Sequence, residues 1–157
     1  MEVRLKIKST IYDLSFSNIP HADNGTVSQD DGCQEIEYSV SGIYEEENGK
    51  VKITYKEPEE MGIENTHTIL VFSPAKRNAL TMVRSGDMSA SFRFDMDEKR
   101  QMCSYETPFM PMEFAVNTKK VANNVKNGKG AILLDYMIEI RGVNAERNRI
   151  FIEVRPV

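Results

Sequence analysis

The sequence predicts an antiparallel all-β domain, closed into an up-and-down barrel of about eight to ten strands, with a two-sheet β-sandwich as the alternative. Three observations carry this. Apolar and polar residues alternate with period two through most of the 157 residues. The alternating runs are short and joined mostly by hairpin-length connections. No strong helical period appears outside one long polar loop near the N-terminus. Closure is preferred because it removes the edge strands that an open sheet would leave unpaired.

The first run sets Val3, Leu5 and Ile7 on one side of the chain and Glu2, Arg4, Lys6 and Lys8 on the other. The segment from Leu14 to Gly32 is long for a plain connection and is expected to hold a short helix or to be mobile. Next comes "CQEIEYSVSGIYEEENGKVKITYKE", in which Asn48-Gly49 is the preferred pair for a two-residue type I′ turn. That turn fixes the register: Glu47 opposite Lys50 and Glu45 opposite Lys52 on a wet face, Tyr44 opposite Ile53 and Gly42 opposite Tyr55 on an apolar one. After a break from Pro58 to Glu64, a strand runs from Thr66 to Phe72 and stops before Pro74.

Asn78 to Val83 and Asp87 to Asp95 form the next hairpin. Leu80 and Met82 share a face with Met88, Ala90 and Phe92 only if the connection has an odd number of residues. The loop Arg84, Ser85, Gly86 satisfies this, with Gly86 as the left-handed residue of a type I turn plus bulge. Arg84 then sits on the barrel rim, and Arg93 on the face opposite Phe92 and Phe94. Further strands are read at Arg100 to Glu106, around Met112, Phe114 and Val116, from Ile132 to Ile140, and from Ile150 to Val154, for about nine or ten in all.

Composition bounds the function. With 40% hydrophobic and 28% charged residues, the chain reads as one folded domain over residues 1–157. A net charge of −4 and the absence of Trp argue against a nucleic-acid-binding surface. The basic run Lys119, Lys120, Lys126 and Lys129 reads as a solvated loop. The start "MEVRLKIKST" has no signal-peptide pattern, and no segment approaches the roughly 18 apolar residues of a membrane helix, so no membrane partner is expected and the cytoplasm is the default compartment. Cys33 and Cys103 lack metal or redox spacing and read as reduced thiols, and Asn24-Gly25-Thr26 as an accidental glycosylation match.

The chain carries no GxSxG, GxxxxGK[ST], HExxH or EF-hand pattern, so no catalytic residue, metal or cofactor is assigned. His21 and His67 are isolated, and the acidic clusters Glu45 to Glu47 and Asp95 to Glu98 read as solvated hairpin ends. Met82, Met88, Met96, Met102, Met110 and Met112 crowd one third of the chain and suit either an adaptable pocket or an irregular core.

"IKSTIYD", "QEIEYSVSGIY" with "KVKITYKE", "VRSG" leading to "RF", "YETPF" and "GAILLDYMIEI" together resemble the YwiB-like family of uncharacterised bacterial proteins. That resemblance implies a calycin-like, lipocalin-type β-barrel and carries no activity with it. Two departures stand out: the length of the segment from Leu14 to Gly32, and Met110 where a glycine is expected.

Barrels of this size can enclose one small ligand. Tyr38, Tyr55 and Tyr136 share parity with the apolar residues of their strands and are expected to face inward, where each hydroxyl needs a partner. The candidate ligand-binding residues are therefore Arg84, Arg93, Tyr38, Tyr55 and Tyr136, with Arg84 the better placed arginine and Arg93 read as an outward residue pairing with carboxylates. The leading function is non-enzymatic binding of a small apolar or amphipathic molecule. A filled interaction or scaffolding barrel, with a homodimer among its forms, is the alternative, and an enzyme comes third.

Overall fold

The computed structural model describes residues 1–14, 33–58, 65–86, 89–106 and 111–157. Among them run ten strands: β1 (Glu2–Asp13), β2 (Cys33–Glu47), β3 (Lys50–Lys56), β4 (His67–Ser73), β5 (Lys76–Ser85), β6 (Ser89–Asp95), β7 (Arg100–Glu106), β8 (Pro111–Asn123), β9 (Gly130–Ile140) and β10 (Val143–Pro156). Each pairs with its neighbour in sequence, and β10 pairs with β1, so the sheet closes on itself. The barrel is therefore the observed architecture, and the sandwich is set aside. The expectations for the long segment after Leu14, including His21 and the Asn24-Gly25-Thr26 triplet, for the break after Pro58, and for Met88 and Met110, lie outside the described residues.

Closure pairs the two ends of the chain over eleven positions, from Val3 opposite Pro156 to Asp13 opposite Glu146. Val157 N donates to Glu2 O at 3.2 Å, and Tyr44 N to Met1 O at 2.9 Å. Val3, Leu5 and Ile7 are buried while the residues between them are exposed, which is the alternation that makes β1 a one-faced strand. The β2–β3 hairpin has the predicted register, Gly42 facing Tyr55 and Glu47 facing Lys50. Asn48 and Gly49, at φ 53° and 74°, fill the turn as type I′ requires.

One end of the barrel carries this turn, the Pro74-Ala75 turn and the Asn127-Gly128 turn; the other end we call the mouth. The interior near the turn end is solid. Val3, Leu5, Val51, Ile53, Leu70, Leu80, Phe94, Ile132 and Ile152 meet there fully buried, each such burial contributing about 1.5–3 kcal/mol.

Two expectations are corrected. The β5–β6 register sets Met82 opposite Phe92 and Arg84 opposite Ala90, so the ladder runs further than the loop Arg84, Ser85, Gly86 allowed. The connection is odd, as the shared apolar face demands, but Arg84 lies inside β5. The reason is Gly86: at φ 148° it is not a left-handed helical residue, and a Cβ there would collide with the Asn65 carbonyl oxygen. It is a point of close backbone approach, not a bulge. The basic run is not one loop either: Lys119 and Lys120 belong to β8, at a bulge between Thr118 and Lys120, and Lys126 pairs with Lys129 across the following turn.

Candidate binding cavity

Towards the mouth the interior is not filled by side chains. A cavity of about 230 Å³ opens there, lined by Ile7, Ile11, Ile36, Ile138, Ile150 and Phe92 on its apolar sides. The same lining carries Ser9, Tyr38, Tyr55, Glu57, Arg84, Tyr136, Glu146 and Asn148. Its volume lies below the roughly 300–1,000 Å³ of sites for drug-sized ligands and well above the roughly 30 Å³ share of one water. No methionine is among these described lining residues, and Met88 and Met110 lie outside the described residues.

Strand parity delivers the polar groups. Tyr55 and Glu57 follow Val51 and Ile53 at every second residue of the β3 segment, and both are buried. Thr68 stands on the same interior face as Leu70 and Phe72 and is fully buried. Arg84 continues the inward series Leu80, Met82. On β10 a register shift between Asn144 and Glu146 re-aims the strand so that Glu146 lies opposite Ile138, and Asn148 and Ile150 follow inward.

These groups form one network around the Glu57 carboxylate. The Tyr38 hydroxyl donates to Oε2 at 2.9 Å and the Thr68 hydroxyl to Oε1 at 2.6 Å. Arg84 Nε stands 4.0 Å from Oε1, close enough to offset charge and too far to donate a hydrogen bond. A carboxylate this buried is tolerated because it is paired and hydrogen-bonded at both oxygens. Arg84 also lies 5.8 Å from the centre of the Phe92 ring, a cation–π distance. On the far side Asn148 Nδ2 donates to Glu146 Oε1 at 2.9 Å.

An aromatic floor separates the cavity from the solid core. Phe94 packs on Tyr136 at 4.6 Å between ring centres, and Phe92 on Phe114 at 5.5 Å. Burial, then the nearby Glu57 charge, pushes the Tyr55 hydroxyl well above its ordinary range. Burial likewise raises Tyr38, with Tyr55 and Glu57 adding to it. Tyr136 is pushed up to about 12 by burial, with Arg84 pulling it down and Glu146 pushing it up. All three therefore present neutral hydroxyls at neutral pH.

Of the residues singled out in the sequence, Arg84, Tyr38, Tyr55 and Tyr136 come together here. Arg93 does not, which corrects its place among the ligand-binding candidates. It alternates with Phe92 and Phe94 and so faces outward, donating to Thr81 Oγ1 at 3.0 Å and to Asp95 Oδ2 at 3.5 Å. Glu57, Thr68, Glu146 and Asn148 were missed. Parity extended past the last apolar residue would have found the first two, since Glu57 is two residues beyond Tyr55 and Thr68 two before Leu70. Among the described residues no cluster of His, Cys, Asp and Glu is arranged to hold a metal ion.

The family described as "Domain of unknown function (DUF1934)" matches residues 21–152. The chain belongs to this family. It is 28% identical over 116 residues to the "Uncharacterized beta-barrel protein YwiB" of Bacillus subtilis (strain 168), covering 73% of this chain and 78% of that protein. The crystal structure of the ywiB protein from Bacillus subtilis superposes with a TM-score of 0.73 at 20% identity, covering 99% of this chain and 92% of the other. The closed barrel is thus the fold of this relative as well, and a calycin-like description is consistent with it.

Proposed function

We propose that this DUF1934 protein is a non-enzymatic, cytoplasmic binding barrel that takes one small amphipathic molecule into its mouth. The observation that carries the reading is the division of the cavity: isoleucines and Phe92 on some walls, and a fixed group of hydroxyls, carboxylates and one guanidinium on the others. Small-molecule sites are concave and mostly apolar, with a few polar groups that set orientation. The lining offers hydrogen-bonding groups whose positions are fixed by the Glu57 network. Two cysteines without a disulfide, Cys33 and Cys103, suit a reducing compartment.

Native mass spectrometry of the purified protein tests this. A bound small molecule is expected, and it should be absent from Ile36→Phe, which fills the cavity from a half-buried position. A protein that never carries added mass, and whose crystals show the cavity closed by side chains, would sink the proposal and leave the scaffolding alternative.

A further inference from the structure

We infer that the molecule taken up is a small monocarboxylic acid whose carboxylate is gripped by the guanidinium of Arg84. The inference rests on the binding reading above and adds the chemistry of the head group. Among the described residues Arg84 is the one cation that lines the cavity. A guanidinium carries five N–H donors, yet among the described residues Arg84 donates no hydrogen bond, and its buried Nε is left without a partner. Every other charged group of the lining has a donor: Glu57 takes two hydroxyls and Glu146 the Asn148 amide. Unused donors on a planar fork are matched by the two oxygens of a carboxylate, which arginine binds in bidentate fashion.

The guanidinium also has neighbours that are fixed before any ligand arrives. Glu57 stands behind it at 4.0 Å and is itself fixed by Tyr38 and Thr68, while the Phe92 ring lies 5.8 Å away. Such preorganisation lowers the cost of binding. A ligand amine finds no open seat at Glu57, where both oxygens are already hydrogen-bonded and the residue is almost wholly buried; Glu146, with the Asn148 amide on Oε1, is the lining carboxylate it would have to use. Arg84 is the single guanidinium among the described lining residues and can meet one carboxylate, so a second negative charge on the ligand finds no cation and its desolvation goes uncompensated. That disfavours dicarboxylates and phosphates. The isoleucine walls take the hydrocarbon chain.

The test is a set of probes of matched length, hexanoic acid, hexanamide, hexylamine and adipic acid, titrated into the isotope-labelled protein and followed by amide chemical shifts. Hexanoate is expected to bind about tenfold more tightly than hexanamide, the margin of one charge-assisted pair over a neutral one, with adipate and hexylamine weaker still. Arg84→Gln should bring the acid down to the amide. If that variant does not fold, Arg84→Lys, which keeps the charge and loses the fork, should weaken the acid severalfold and leave the amide unmoved. Equal binding of acid and amide, tighter binding of the amine, or an acid affinity indifferent to Arg84→Lys would overturn the head-group assignment while the binding reading stands. Failure of every probe to bind in the cavity would remove both.

Discussion

Tyr38, Tyr55 and Tyr136 show how a hydroxyl behaves when the sheet buries it beside a carboxylate. Their raised values favour the protonated form in the folded state, so the stability tied to them is fully present below the unfolded value of about 10. It is lost as pH rises through the folded values. For Tyr136, raised to about 12 by burial, the loss by that pH amounts to roughly 2–3 kcal/mol at 1.36 kcal/mol per unit. Near-ultraviolet tyrosinate absorbance during an alkaline titration should therefore show a late phase that coincides with loss of structure. Tyr136→Phe should shrink that phase. Ionisation of every tyrosine in one step near pH 10, with the fold intact, would contradict the burial argument. The same burial explains why Glu57 escaped sequence reading: in "ITYKE" it looks like one more surface acid, and only the inward parity it inherits from Tyr55 marks it out.

At the scale of the element, the β2–β3 hairpin was legible because a single turn type sets every later pair, whereas the β5–β6 hairpin was legible only in part. Parity demanded an odd connection there and obtained one. It could not say which odd connection, because the deciding contact, Gly86 against the Asn65 backbone, joins segments that are not neighbours in the hairpin. The inward turn of Glu146 was hidden for a similar reason: a register shift in β10 resets parity, and alternation alone does not reveal it. Gly42 offers a direct test of how tightly the paired strands meet. A Cβ at this position would stand 2.9 Å from the Thr54 carbonyl oxygen and 3.1 Å from Leu5 Cδ1. Gly42→Ala should cost about 1–3 kcal/mol, as overpacking does, measured by urea unfolding. A variant as stable as the parent would mean that β2 and β3 can part at no cost.

The whole molecule divides its interior by depth: a dry aliphatic and aromatic plug at the turn end, an aromatic floor, and a polar-rimmed space at the mouth. The plug supplies the hydrophobic burial, which leaves the mouth free to carry a buried carboxylate that contributes little to folding. Ten strands in a simple meander make nearly all pairings local in sequence. The exception is β1 with β10, and that seam brings Val157 within hydrogen-bonding distance of Glu2. A short Gly/Ser linker can therefore join residue 157 to residue 1, with new ends cut at the exposed Asn48-Gly49 turn. The permuted chain is expected to keep the same barrel, judged by its amide spectrum, because every ladder survives the cut. Its old seam becomes an ordinary hairpin. Loss of the fold on permutation would show that the order in which the strands are made, and not only their final pairing, is required. If the permuted barrel forms, the end of the molecule far from the mouth is a place where tags, surfaces or partner domains can be attached without standing in the way of whatever enters.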